Sequence, residues 1–129
     1  MRPRSIAEIA QRAQAKAAAF DPSVREFLDE WSGMTGAQRN SALESEPGKL
    51  TVLKDAYLAA LTEHLAHLGG IAVPAWTDDP GRFLSEPYFA GGLESLKAIL
   101  LAESPLAFRR RLIFISADGL SRPSRSAAE

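Results

Sequence analysis

From Leu50 to Gly70 the chain reads LTVLKDAYLAALTEHLAHLGG. Leu50, Leu53, Tyr57, Leu61, His64, Leu65 and Leu68 recur every three or four residues, which aligns apolar side chains along one helical face. The run predicts a helix of about five turns. Gly69-Gly70 supplies its stop, because glycine readily takes the left-handed conformation that closes a helix. His67, in the last turn, sits where positive charge meets the negative end of the helix dipole. No strand of ordinary length carries this period, so the segment places the chain in the α class.

The flanking sequence is punctuated in the same way. Ser5-Ile-Ala-Glu8 forms a capping-box signature, followed by Ile6, Ile9, Ala10, Ala13, Ala17 and Phe20 on a narrow apolar stripe. Asp21-Pro22 predicts a restart, since proline ends one helix and fits the first turn of the next. Val24, Phe27, Leu28 and Trp31 line that second helix, and Ser32-Gly33 closes it. Thr35-x-x-Gln38 caps a short, marginal helix from about Ala37 to Glu44. Beyond Gly70, Pro74, Pro80 and Pro87 forbid a long helix and predict two short turns, the second capped by Asp78 or Asp79. Leu93, Leu96, Ile99 and Leu100 mark another helix. Ser104-Pro105 reads as an N-cap followed by proline at the first helical position. Leu112-Ile113-Phe114-Ile115 is β-branched and aromatic, with room for one very short strand. The expected fold is all-α: one bundle-like domain of five to seven helices over residues 1–121, with 122–129 a small, polar, disordered tail.

Bulk properties agree. A chain of 129 residues is one domain's worth, and 46% apolar residues supply a single core. With no cysteine, neither a disulfide framework nor a thiolate metal site is available. Glu8, Arg12 and Lys16 interrupt any apolar signal segment, and no apolar run is long enough to span a bilayer. A soluble, cytoplasmic protein with no membrane association is expected.

The net charge of −1 conceals a partition: residues 1–20 carry +3, residues 21–103 carry −7 and residues 104–129 carry +3. Basic ends around an acidic middle suit an internal charge match or an anionic partner. Much of the C-terminal charge lies in Arg109-Arg110-Arg111. Three successive helical positions fan over about 200°, so they form no flat stripe. One arginine is expected to turn inward and pair with the acidic middle, the other two to face a partner.

Chemistry-bearing constellations are absent or have structural explanations. His64 and His67 lie three apart, whereas a zincin helix needs histidines four apart with a glutamate directly after the first. No serine elbow, phosphate loop or dinucleotide fingerprint occurs. Neither an enzyme, a metal site nor a cofactor is expected. Trp76, Phe83, Tyr88 and Phe89 gather large rings in one proline-rich segment. Trp76, Tyr88 and Phe89 are candidate partner contacts, with the core as the competing place for the same rings.

The spans 56–92 and 95–122, whose hallmarks are E-H-L-A, V-P-x-W-T and E-S-P-x-A-F-R-R-R-x-I-F-I-S-A, together with FDPSVREFLDEW (20–31), cover most of residues 5–122. They resemble a family of small bacterial helical proteins, antitoxin-like and found beside toxins of the nucleotidyltransferase type. The resemblance implies a helical, non-enzymatic protein whose partner is another protein, and it transfers no catalytic residue. Arg109, Arg110, Arg111, Trp76, Tyr88 and Phe89 are the residues expected to meet that partner. The alternative is a nucleic-acid-binding transcriptional regulator that uses its basic ends.

Overall fold

A computed structural model describes residues 2–90, 97–116 and 120. The expected tail at 122–129, and Leu93 and Leu96 of the predicted fifth helix, lie outside the described residues. The protein is mainly helical, with one very small sheet. It divides into two compact units, one ending at Leu50 and one beginning at Thr51.

The first unit holds α1 (Ile6–Ala15), α2 (Phe20–Trp31) and α3 (Gly36–Glu44). Ser5 caps α1 as expected: its hydroxyl accepts from the Glu8 amide at 3.1 Å, while Glu8 accepts from the Arg4 amide at 3.2 Å. Ile6, Ile9, Ala10 and Ala13 are buried on its inner face. The break falls earlier than Asp21-Pro22 predicts. Lys16 is extended, Ala17–Ala19 form a 3-10 turn, and α2 already begins at Phe20. Pro22 is accommodated because first-turn amides have no acceptor within a helix, so a missing one costs nothing there. The early break also takes Ala17 off the stripe and leaves it exposed. Phe20, Val24, Phe27, Leu28 and Trp31 are buried along α2. Thr35 and Gln38 form the full capping box of α3. Arg39 donates from Nε and from a terminal nitrogen to the Trp31 carbonyl, at 3.2 and 2.9 Å, and lies over the Trp31 ring at 4.9 Å. Arg39 of α3 thereby ties to the last carbonyl of α2, which also accepts from the Met34 amide at 3.1 Å.

The second unit is organised around α4 (Val52–Gly69). Thr51 caps it, accepting from the Lys54 amide at 3.2 Å, and Gly70 closes it at φ 65°, the left-handed conformation anticipated for this glycine. Burial does not follow a single stripe. Ala56, Leu58, Ala59, Ala60, Thr62, Glu63 and Ala66 are buried alongside Leu61 and Leu65, whereas Leu68 is 72% exposed. Four of these are alanines, so other chain segments can approach the helix closely. Two 3-10 turns, Ala75–Asp78 and Pro80–Arg82, pack on α4 where the prolines predict turns, and Asp79 caps the second.

The remaining elements are β1 (Tyr88–Phe89), α5 (Lys97–Glu103), α6 (Leu106–Arg109) and β2 (Ile113–Phe114). The strands pair in parallel, Tyr88 opposite Ile113 and Phe89 opposite Phe114, with the two phenylalanine rings stacked at 4.9 Å. The expected short strand thus exists, with a partner that its own sequence does not indicate. Ser104 does not cap α6; Pro105 occupies that place. The Ser104 hydroxyl is buried, accepting from the Ile115 amide at 2.8 Å and lying 2.5 Å from the Leu100 carbonyl. It joins the end of α5 to the strand, a connection that outweighs local capping because both backbone groups are buried.

Candidate partner-binding site

The site is the single turn α6 and the residues that fix it to α4. Phe108 is fully buried, edge-on to the Tyr57 ring at 5.3 Å and to His64 at 6.1 Å. Ala107 is buried beside it. Arg111 follows on the same side. Its guanidinium donates to Glu63 at 2.7 Å, to the Ala107 carbonyl at 3.0 Å and to the Thr77 carbonyl at 2.8 Å. Phe83 covers the cation at 4.5 Å. Arg111, expected among the partner contacts, is therefore wholly internal; packing claims it because Glu63, two carbonyls and an aromatic face converge on it.

Arg110 reaches the other oxygen of the same carboxylate, Glu63 Oε2, at 2.7 Å, with 43% of its side chain exposed. Asp78 lies 3.9 Å from its second terminal nitrogen. Burial works to raise the Glu63 carboxyl. Hydrogen bonds from Arg111 and Arg110, with their charges, outweigh it and hold the group below its ordinary value. Burial pushes Arg111 down, against hydrogen bonding and charge from Glu63. His67 approaches Glu63 Oε2 to 4.0 Å from the next turn of α4. Burial, and then the neighbouring His67, lower His64. Among the described residues no three metal-ligating side chains converge. None of the described helices is long and apolar enough to cross a membrane.

Arg109 is the exception in the triplet. It is exposed, and among the described residues its guanidinium meets no carboxylate, carbonyl or ring. Leu106, three residues earlier on the same side of the turn, is 58% exposed. The turn thus has an outer face of Leu106, Arg109 and Arg110 and an inner face of Ala107, Phe108 and Arg111. Leu112 then adopts φ 63°, a conformation that costs an ordinary residue about 1–2 kcal/mol. Its carbonyl accepts from the Tyr88 amide at 2.8 Å, which begins the strand pairing.

The aromatic candidates divide. Trp76 is half-buried under Arg82, whose guanidinium lies 5.0 Å above its ring, and Arg82 itself is fully buried and 3.8 Å from Asp55. Phe89 is half-buried on Phe114, while Tyr88 is exposed. Sequence reasoning missed Glu63 as the organising group. Its signal was present: the one acidic residue between Ala56 and Gly69, set among the apolar positions of LTEHLAHL.

No protein-family model, curated protein or solved structure matches this chain.

Proposed function

We propose that this chain is a non-enzymatic partner-binding protein, the antitoxin half of a pair whose other member is a nucleotidyltransferase-like toxin, and that it docks through α6. One observation carries the reading. A turn of four residues, too short to hold itself, is locked by a buried ion pair and a buried ring, and its outer face displays Leu106 and Arg109. A buried ion pair is weak as net stabilisation, because desolvating both charges offsets most of their attraction. What it supplies is position for the turn, and a cation beside an exposed leucine on that turn suits recognition of a protein surface.

The nucleic-acid alternative is the weaker reading. Glu63 engages two of the three arginines, and residues 51–116 carry six basic against seven acidic side chains. Nucleic-acid affinity rests on many phosphate contacts. Co-expression with a nucleotidyltransferase-like toxin encoded next to this protein tests the proposal. The expected result is a co-purifying complex and relief of growth arrest. Growth arrest that persists beside a well-folded protein overturns it.

A further inference from the structure

The outer face of α6 also specifies what its partner must offer. Three of the four arginines between Thr51 and Ser116 lie within 4 Å of a carboxylate: Arg82 by Asp55, and Arg110 and Arg111 by Glu63. The fourth, Arg109, meets none among the described residues. Glu63 is one negative charge shared by two cations, and Asp78, 3.9 Å from Arg110, offsets the remainder. The uncompensated charge on this face is therefore at Arg109. Leu106 lies one turn before it, and side chains at this spacing have Cβ atoms about 5–6 Å apart.

We infer that α6 recognises an acidic amphipathic helix of a partner protein, a partner carboxylate meeting Arg109 and an apolar side chain one turn away covering Leu106. The inference rests on the partner-binding reading above and names the chemistry of that partner. Asp78 sets the register. A second carboxylate opposite Arg110 would meet Asp78, whose side chain is largely exposed, and be repelled, so the partner's acidic group belongs opposite Arg109. A row of phosphates meets the same repulsion. Leu106 would gain nothing from a polyanion, whereas covering it removes apolar surface from water. The anchoring of Arg111 fixes the backbone of the turn before the partner arrives, so that binding orders the Arg109 side chain but not the turn that carries it.

The test uses the full chain and three probes at about 20 mM and about 300 mM salt, a range over which screening of exposed charges changes strongly. The first is an alanine-based helical peptide of about 16 residues, long enough to hold a helix, with glutamate and leucine one turn apart. The second replaces each glutamate by lysine, and the third is a duplex oligonucleotide. Backbone amide shifts locate binding, and titration measures it. The expected result is binding of the acidic peptide alone, with shifts centred on residues 106–110 and loss at high salt. Arg109→Glu should weaken it by about tenfold or more. Leu106→Ser should weaken it too, and Arg25→Glu, an exposed arginine of the first unit, should leave it unchanged. Equal binding of the lysine peptide, tighter binding of the duplex, no binding of the acidic peptide, or insensitivity to Arg109→Glu overturns the inference. A toxin complex that forms and survives Arg109→Glu defeats this inference alone. An acidic peptide that binds at α6 where no toxin complex forms defeats the antitoxin reading alone.

Discussion

Arg111 and Glu63 face each other at 2.7 Å with 0% and 4% of their side chains exposed, forty-eight residues apart in the chain. Glu63 also binds Arg110, so one carboxylate holds two consecutive residues of the C-terminal segment against α4. Removing one partner of such a pair leaves an uncompensated buried charge, whereas removing both does not. Glu63→Ala should therefore lower stability by about 3–5 kcal/mol, while Glu63→Leu combined with Arg111→Met should cost much less. Chemical denaturation of both variants measures the difference.

Reversal of each arginine should separate the three. Arg111→Glu places a second buried negative charge beside Glu63 and should prevent the second unit from folding. Arg110→Glu sets like charges against each other at a half-exposed position and should destabilise it more moderately. Arg109→Glu should stay within about 0.5 kcal/mol of the parent, as surface changes without partners do. Thermal melts of the three variants give the order.

Two groups on α4 make stability depend on pH. The Glu63 pKa is lower in the folded protein, so the unfolded chain takes up its proton first as pH falls. Its contribution is present above the ordinary value near 4.5 and is lost as pH falls through the lowered folded value. His64 is also lowered, by burial and then by His67, so the folded state prefers it neutral. Below its ordinary value of 6.5 the unfolded chain gains the proton and the folded one resists it. Stability should therefore decline first as pH falls below about 6.5 and again below about 4.5. His64→Phe should remove the first decline and leave the second, as read from denaturation midpoints across pH.

Ser104→Ala should cost about 1–3 kcal/mol, because it leaves the buried Ile115 amide without its acceptor. Hydrogen exchange should show the loss as faster exchange at Ile115, with the amides of α1 to α3 unchanged.

Several features were legible because they are decided within a few residues. The α class follows from the apolar period of Leu50–Leu68 and from Gly70, whose left-handed conformation closes α4. Ser5, Thr35 and Asp79 cap the elements their neighbours predict, since a cap needs only a side-chain oxygen two or three residues before an orphan amide. Pro74 and Pro80 mark two short turns through the same local chemistry.

Other features are settled only by contacts between distant segments. Four small alanines on α4 let neighbours reach more than one of its faces, so Leu68 is exposed while Glu63 is buried. The strands pair across Tyr88 and Ile113, twenty-five residues apart, and two residues alone carry no period that would announce it. Ser104, a good cap by its neighbours, serves Ile115 instead. The arginine triplet shows the division most clearly. Its sequence determines that three cations spread about 200° around one turn, so they cannot all face the same way. Which one turns inward depends on the rotational phase of that turn against α4. Phe108 packed on Tyr57, and Arg111 paired with Glu63 of the same helix, set that phase so that Arg111 is buried and Arg109 is left to solvent.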